Sequence, residues 1–201
     1  MKKIMILNLI LLTFIFGNDS FGAENINGRF GITGKVGFIV PTDSDIAGVR
    51  LKSGVGITGG GGFIYGVTDN VAAEFTVTRS ESDTDALGTN SGSTGTTDIS
   101  VGAQYRFETP IKKLYPFVGG GLDVIYVDLS GDNGRNLDVD TAIGLHLKGG
   151  VDYFILPQMA LTGELKGILA PDVDINNNGV KVGNFDPNSF SMTFGLRYFF
   201  N

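Results

Sequence analysis

The sequence predicts an all-β fold, an eight-stranded, antiparallel, up-and-down transmembrane β-barrel that follows a cleaved signal peptide. Three observations carry this: an N-terminal export pattern, eight segments of alternating polarity, and connections between them that alternate long and short. The last segment is the clearest. From 189 to 200, every second residue is large and apolar: Phe190, Met192, Phe194, Leu196, Tyr198 and Phe200. Between them stand Ser191, Thr193, Gly195, Arg197 and Phe199. Side chains alternate across a strand, so the two sets face opposite ways. One face suits hydrocarbon and the other mostly polar surroundings, which is the pattern of a membrane-spanning strand.

At the other end, Lys2 and Lys3 precede an apolar stretch from Ile4 to Phe16. It has the length of an export-signal core and falls short of the ~20 residues that a spanning helix needs. Ser20-Phe21-Gly22 then offers small residues at the recognition positions, so cleavage is expected before Ala23, with the Ala23/Glu24 bond second. This divides the chain into a signal peptide, 1–22, and an outer-membrane β-barrel domain, 23–201.

The candidate strands are 29–40, 54–67, 71–79, 98–107, 115–129, 140–154, 159–169 and 189–200. Most reach the ~9–11 residues that a tilted strand needs to cross hydrocarbon. Their connections, 41–53, 68–70, 80–97, 108–114, 130–139, 155–158 and 170–188, alternate long and short. Barrels of this kind keep short turns in the periplasm and longer loops outside, so both termini are expected in the periplasm. The Ser/Thr/Gly/Asp-rich stretch 80–97 is expected to be a mobile loop.

Composition agrees. The formal net charge of −6 becomes −7 once Lys2, Lys3 and Asp19 leave with the signal, and an acidic balance argues against nucleic acid as a partner. The absence of cysteine excludes a disulfide framework and a thiolate metal site. The 31 glycines suit a barrel wall, where Gly relieves crowding at bends and close strand contacts.

Parity assigns faces. On 159–169, Met159, Leu161, Leu165 and Leu169 turn outward and Thr162, Glu164 and Lys166 inward. On 140–154, Ile143, Leu145, Leu147, Val151 and Tyr153 turn outward, with His146, Lys148 and Asp152 inward. On 98–107, Ile99, Val101, Ala103, Tyr105 and Phe107 turn outward, with Ser100, Gln104 and Arg106 inward. The inward charges are Lys35, Arg106, Lys148, Lys166 and Arg197 against Glu74, Asp123, Asp152 and Glu164, five against four. They are expected to pair across the lumen, because an unpaired charge in so confined a space is costly. An eight-stranded barrel has room for little more than its own side chains, which excludes a wide porin.

Most of these charges fall in the periplasmic or middle part. Ile39, Ile125, Val127, Leu129 and Ile168 share the inward parity near the outer strand ends, which predicts an apolar cup above a charged plug. This set either lines a pocket for a small ligand or packs beneath folded-over loops, since both use the same lining chemistry.

Four segments resemble a known family. Tyr65-Gly66-Val67-Thr68-Asp69-Asn70-Val71-Ala72-Ala73-Glu74 is similar to the strand-two to strand-three turn of the OmpW family of small outer-membrane barrels. Tyr115-Pro116-Phe117-Val118-Gly119-Gly120-Gly121-Leu122 resembles the start of its strand five, and Gly149-Gly150-Val151-Asp152-Tyr153 its strand six. Phe185-Asp186-Pro187 resembles its Asp-Pro lead into strand eight, although Asn188-Ser189 replaces the bulky residue often found there. Opacity-type and OmpA-type barrels share the first two patterns, and the last two favour OmpW. Counted back from Phe200, the spacing of Phe194, Leu196, Tyr198 and Phe200 also resembles the C-terminal assembly signal of outer-membrane barrels, with Asn201 one residue beyond. The resemblance implies a bacterial outer-membrane barrel with an apolar interior that binds or passes small hydrophobic molecules. Its partners would be outer-membrane lipids, the assembly machinery and small hydrophobic solutes.

Sharper motifs do not survive their context. Gly54-Val55-Gly56-Ile57-Thr58-Gly59 fits the dinucleotide glycine pattern but lies inside a strand pattern, without the strand, helix and acidic partner such a site requires. Asp172-x-Asp174-x-Asn176-x-Asn178 suggests a calcium loop, yet Asn177 and Gly183 stand where the EF-hand glycine and glutamate belong. His146 is the only histidine, with no evident serine nucleophile beside it, so it is assigned to the luminal network. No enzyme, cofactor or metal is expected. The rival reading is a structural or surface-interaction barrel that acts through its external loops.

Overall fold

The computed structural model describes residues 25–42, 44–46, 49–86, 89–131, 136–177 and 180–200. The predicted signal peptide, the boundary at 23 and Asn201 lie outside them. In chain order the described strands are β1 (Phe30–Pro41), β2 (Ser44–Ile46), β3 (Val49–Ser53), β4 (Gly56–Gly66), β5 (Val71–Ala86), β6 (Thr89–Arg106) and β7 (Leu114–Gly131). They continue with β8 (Asn136–Val139), β9 (Ala142–Leu156), β10 (Met159–Leu169), β11 (Val173–Asn177), β12 (Val180–Phe185) and β13 (Ser189–Phe199).

Eight of them close a ring in the order β7-β6-β5-β4-β1-β13-β10-β9, and β9 returns to β7 through the ladder from Leu114↔Tyr153 to Ile125↔Ala142. Every pairing in it is antiparallel. Closure leaves no unpaired edge, the condition for a sheet in hydrocarbon. The predicted strands map onto this ring one for one, and 159–169 is reproduced to the residue as β10.

The longer connections differ from expectation. β5, β6 and β7 outrun the first ring and form a second with β3, β2, β12, β11 and β8. It is joined through Leu51↔Ala86, Gly183↔Ile46, Ile175↔Val139 and Asp128↔Asp138. The stretch expected as an irregular mobile loop, 80–97, is strand over its described residues, laddered from Glu81↔Gly95 to Ala86↔Thr89. Its threonines favour extended backbone. Both of its faces are polar, so the hydrophobic period that marks a strand has nothing to show there.

The pleat sets the two faces as parity requires. Val36, Leu147 and Leu169 are 67%, 73% and 67% exposed, forming part of an outward apolar band, whereas Arg106, Asp123 and Asp152 are fully buried. Three residues assigned outward, Ile99, Met159 and Tyr198, are only half-buried. At the end carrying the short turns, outward aromatics stack: Phe30 on Phe63 at 5.5 Å, Phe30 on Phe200 at 6.1 Å and Phe63 on Phe75 at 6.5 Å between ring centres. Each pair contributes about 0.5–1.5 kcal/mol beyond its area burial, and such rings form the girdle typical of spanning barrels. β4 also needs glycine for close approach: a Cβ on Gly62 would stand 2.0 Å from the carbonyl oxygen of Phe75.

Candidate functional site

Alternation along the strands sends polar or charged residues into the middle of the lumen: β5, β6, β10 and β13 supply most of them, β9 adds His146, Lys148 and Asp152, and β1 and β7 add Thr33, Lys35 and Asp123 among glycines and apolar residues. The structure places all ten predicted network residues inside: Lys35, Glu74, Arg106, Asp123, His146, Lys148, Asp152, Glu164, Lys166 and Arg197 are each at most 9% exposed. They fall into two layers.

The layer nearer the turns is built around Arg197. Its Nη1 donates to Asp152 Oδ1 at 3.1 Å and Oδ2 at 2.8 Å, and its Nη2 to Glu74 Oε1 at 3.2 Å. Lys148 pairs with Glu74 and, at 3.2 Å, with Glu164. Lys35 donates to the other oxygen of Glu164 at 2.7 Å. Arg106 lies 3.7 Å from Asp152, with Tyr115 4.5 Å and Phe154 5.3 Å from its guanidinium carbon. Phe117 lies 5.0 Å from that of Arg197, so aromatic faces complete the solvation of both cations.

The second layer centres on Lys166. Its ammonium donates at 2.7 Å to Asp98 Oδ2, to Ser100 Oγ and to Asp123 Oδ1. The second oxygen of Asp123 takes Nδ1 of His146 at 2.7 Å. Gly121 makes room for this imidazole, since a Cβ there would lie 2.9 Å from His146 Cε1. Ser100 Oγ, which accepts from Lys166, lies 2.8 Å from Asp123 and 3.0 Å from Asp98, so its single proton goes to one carboxylate or the other while His146 engages Asp123. Between the layers remains a cavity of about 10 Å³ lined by Lys35, Glu74, Ser100, His146, Lys148 and Lys166. That is room for roughly one water.

Two features escaped the sequence analysis. Asp98 is a further inward acid, which makes the five cations meet five anions. It opens the predicted strand 98–107 and shares the parity of Ser100 and Gln104, so the signal was present. Secondly, the charges do not extend down to the turns. Ile26, Ile64, Ala72, Phe154, Ala160 and Phe199 form a buried apolar cluster there, with Tyr115 packed against it. The arrangement of a cup above a plug is corrected to a plug between two apolar clusters. Phe154 and Phe199 stand two residues beyond Asp152 and Arg197, on the same face of their strands.

At the opposite end the predicted cup residues Ile125, Val127 and Ile168 are buried in one cluster with Ala142, Ile175 and Phe185. Ile175 belongs to β11 and Phe185 to β12, so strands of the second ring roof the cup, which is the packing alternative for these residues. Ile39 is half-buried and lines a cavity of about 30 Å³ with Ile125 and Ile168. A second cavity of about 20 Å³, beside Phe185 and Pro187, shares Ile39 with it. The backbone of Leu129 pairs with Leu137, and its side chain lies outside the described ones.

Of the assembly-signal residues, Phe194, Leu196 and Phe200 are exposed, and Tyr198 packs edge-on against Phe200 at 5.1 Å. The dinucleotide-like glycines run into β4. Asp174 lies on β11, where it accepts from Lys181 at 2.6 Å, and Asn178 lies outside the described residues.

Comparison with known proteins agrees with this architecture. The family model described as outer membrane protein beta-barrel domain matches residues 10–200. No curated protein matches the chain. Among solved structures, OprG of Pseudomonas aeruginosa is similar with a TM-score of 0.70 and 16% identity over 88% of this chain and 98% of that one. Neisserial surface protein A gives 0.60 and 19% over 85% and 97%. OmpW of Escherichia coli gives 0.51 and 18% over 87% and 98%. At such identities the likeness is one of fold.

Proposed function

The chain belongs to the family of outer membrane protein beta-barrel domains, and from that premise we propose that it binds or passes small hydrophobic molecules through the apolar cup at the external end of its charge-plugged lumen. The second ring faces outward and both termini face the periplasm, in keeping with short inner turns and long outer connections. Residues 1–22 serve as the export signal, and the assembly machinery reads Phe194, Leu196, Tyr198 and Phe200.

The observation that supports the reading is the gathering of Ile125, Val127, Ile168, Ile175 and Phe185 on the side of the charged plug away from the short turns, with open space beside them. Fully burying one such apolar side chain stabilises by about 1.5–3 kcal/mol, and an apolar guest gains in the same way. Straight axial passage is disfavoured, because breaking a buried ion pair costs about 3–5 kcal/mol and the plug holds several. The role is binding or passage, not catalysis.

The test uses the barrel in lipid vesicles with a hydrophobic fluorescent solute. Ile125→Asp and Val127→Asp should each reduce binding or uptake while the barrel still folds, as judged by circular dichroism. Shortening 82–95 should matter less. The opposite ranking would replace this reading with a surface-interaction role for the outer strands.

A further inference from the structure

The space beside the cup mixes three kinds of lining: apolar Ile125 and Ile168, hydroxyls from several strands, and the ion pairs of Lys35 with Glu164 and of Lys166 with Asp98. β5 and β10 stand four places apart in the eight-membered first ring, so Ser80 and Ile168 face one another across the lumen. On the side of Ile168 the lining includes Ile125; on the side of Ser80 it is hydroxylic, with Thr58 and Thr96. Ser80 Oγ and Thr58 Oγ1 are 2.9 Å apart and already bonded to each other.

The same cavity is bounded below by Asp98, which is only 7% exposed. One carboxylate oxygen, Oδ2, takes the ammonium of Lys166 at 2.7 Å. The other, Oδ1, is buried and accepts no hydrogen bond from any described residue. A buried anionic acceptor without a donor is costly, so such a group is a place where a ligand's donor gains most. The charge of the layer points the same way. Lys166 faces both Asp98 and Asp123, one ammonium between two carboxylates.

Resting on the binding role above, we propose that the ligand of the cup is a short amphiphile whose apolar body lies on Ile125 and Ile168 and whose polar head, a hydroxyl or a protonated amine, donates to Asp98 Oδ1. A plain hydrocarbon leaves this oxygen unmet. A carboxylate head sets a second anion beside it, in a layer where one ammonium already faces two carboxylates. At about 30 Å³ the space takes the head and the first carbons of a short chain, and a hexyl body must continue past Ile39 into the adjoining cavity of about 20 Å³.

The experiment uses the barrel in lipid nanodiscs with ¹³C-methyl isoleucine, titrated with 1-hexanol, hexylammonium and hexanoate at matched free concentrations. The methyl signals of Ile125 and Ile168 should move with the alcohol and the amine at about tenfold lower concentration than with the carboxylate, the size of one hydrogen bond to a charged group. Asp98→Asn, with the remaining methyl spectrum as the check on folding, should erase the preference for hexylammonium over hexanoate. Equal affinity for all three compounds, or a preference unchanged by D98N, overturns the donor head and leaves binding by the cup standing. No movement with any compound overturns the binding role itself and this assignment with it. If D98N does not fold, the ranking on the unmodified barrel decides alone.

Discussion

Arg197 on β13 reaches over β10 to Asp152 on β9, with one guanidinium nitrogen 3.1 and 2.8 Å from the two carboxylate oxygens and neither residue more than 1% exposed. β9 and β13 share no backbone ladder, so this contact ties second neighbours in the ring. The same guanidinium holds Glu74 on β5 at 3.2 Å. Backbone pairing closes the cylinder locally; these side chains clamp it across the lumen.

Arg197→Met should therefore destabilise the barrel by about 3–5 kcal/mol, the usual result of leaving a buried carboxylate without its partner. Among the described residues Asp152 would keep the pairing with Arg106, at 3.7 Å. Arg197→Lys should recover part of the loss, because an ammonium carries the charge but not the planar fork that spans two acids. Urea unfolding in lipid vesicles, followed by circular dichroism and by the mobility of heated against unheated protein, gives the comparison. An unchanged midpoint for R197M would mean that the pair does not stabilise the ring.

The glycines of the wall give a contrast within one pair of strands. A Cβ on Gly62 would meet the Phe75 carbonyl oxygen at 2.0 Å, whereas one on Gly34 would meet nothing within 4 Å. Overpacking a tight contact costs about 1–3 kcal/mol, so Gly62→Ala should lower stability by that order. Gly34→Ala should stay within about 0.5 kcal/mol of the parent. Equal effects in the same unfolding assay would remove close approach as the reason for glycine on β4.

How far the fold was legible follows from which faces differ in chemistry. On β9, Ile143, Leu145 and Leu147 alternate with Gly144, His146 and Lys148, so strand, face and network could be read together. On the part of β6 that extends into the second ring, buried Thr94 alternates with exposed Ser93, and nothing in polarity separates them, so the strand reads as a loop. Phe199 was assigned to the inner face by parity, yet it sits between Tyr198 and Phe200, and its partners Ile26 and Phe154 come from distant parts of the chain. Parity sets direction; it does not say what a side chain meets. Asp98 was missed for a simpler reason, its place at a predicted boundary. The roofing of the cup by Ile175 and Phe185 depends on strands that polarity had hidden.

The second ring gives the last prediction, and the chain's lack of cysteine makes it clean. Ile175 on β11 and Val139 on β8 are direct partners in the register, one of two pairs between these strands. Directly paired antiparallel residues have Cα atoms about 4.5–5.5 Å apart, within the range that a disulfide spans. Ile175→Cys combined with Val139→Cys should thus crosslink under mild oxidation and shift the mobility of the unreduced barrel on a gel. Each single variant should not shift. The pairing joins the connection that follows β7 to the one that follows β10, so the crosslink reports on the closure of the second ring itself. An irregular arrangement of the two connections would bring these positions together only by chance, and the double variant would then oxidise no faster than a cysteine pair placed at Ile175 and Asp128, which the register does not join directly.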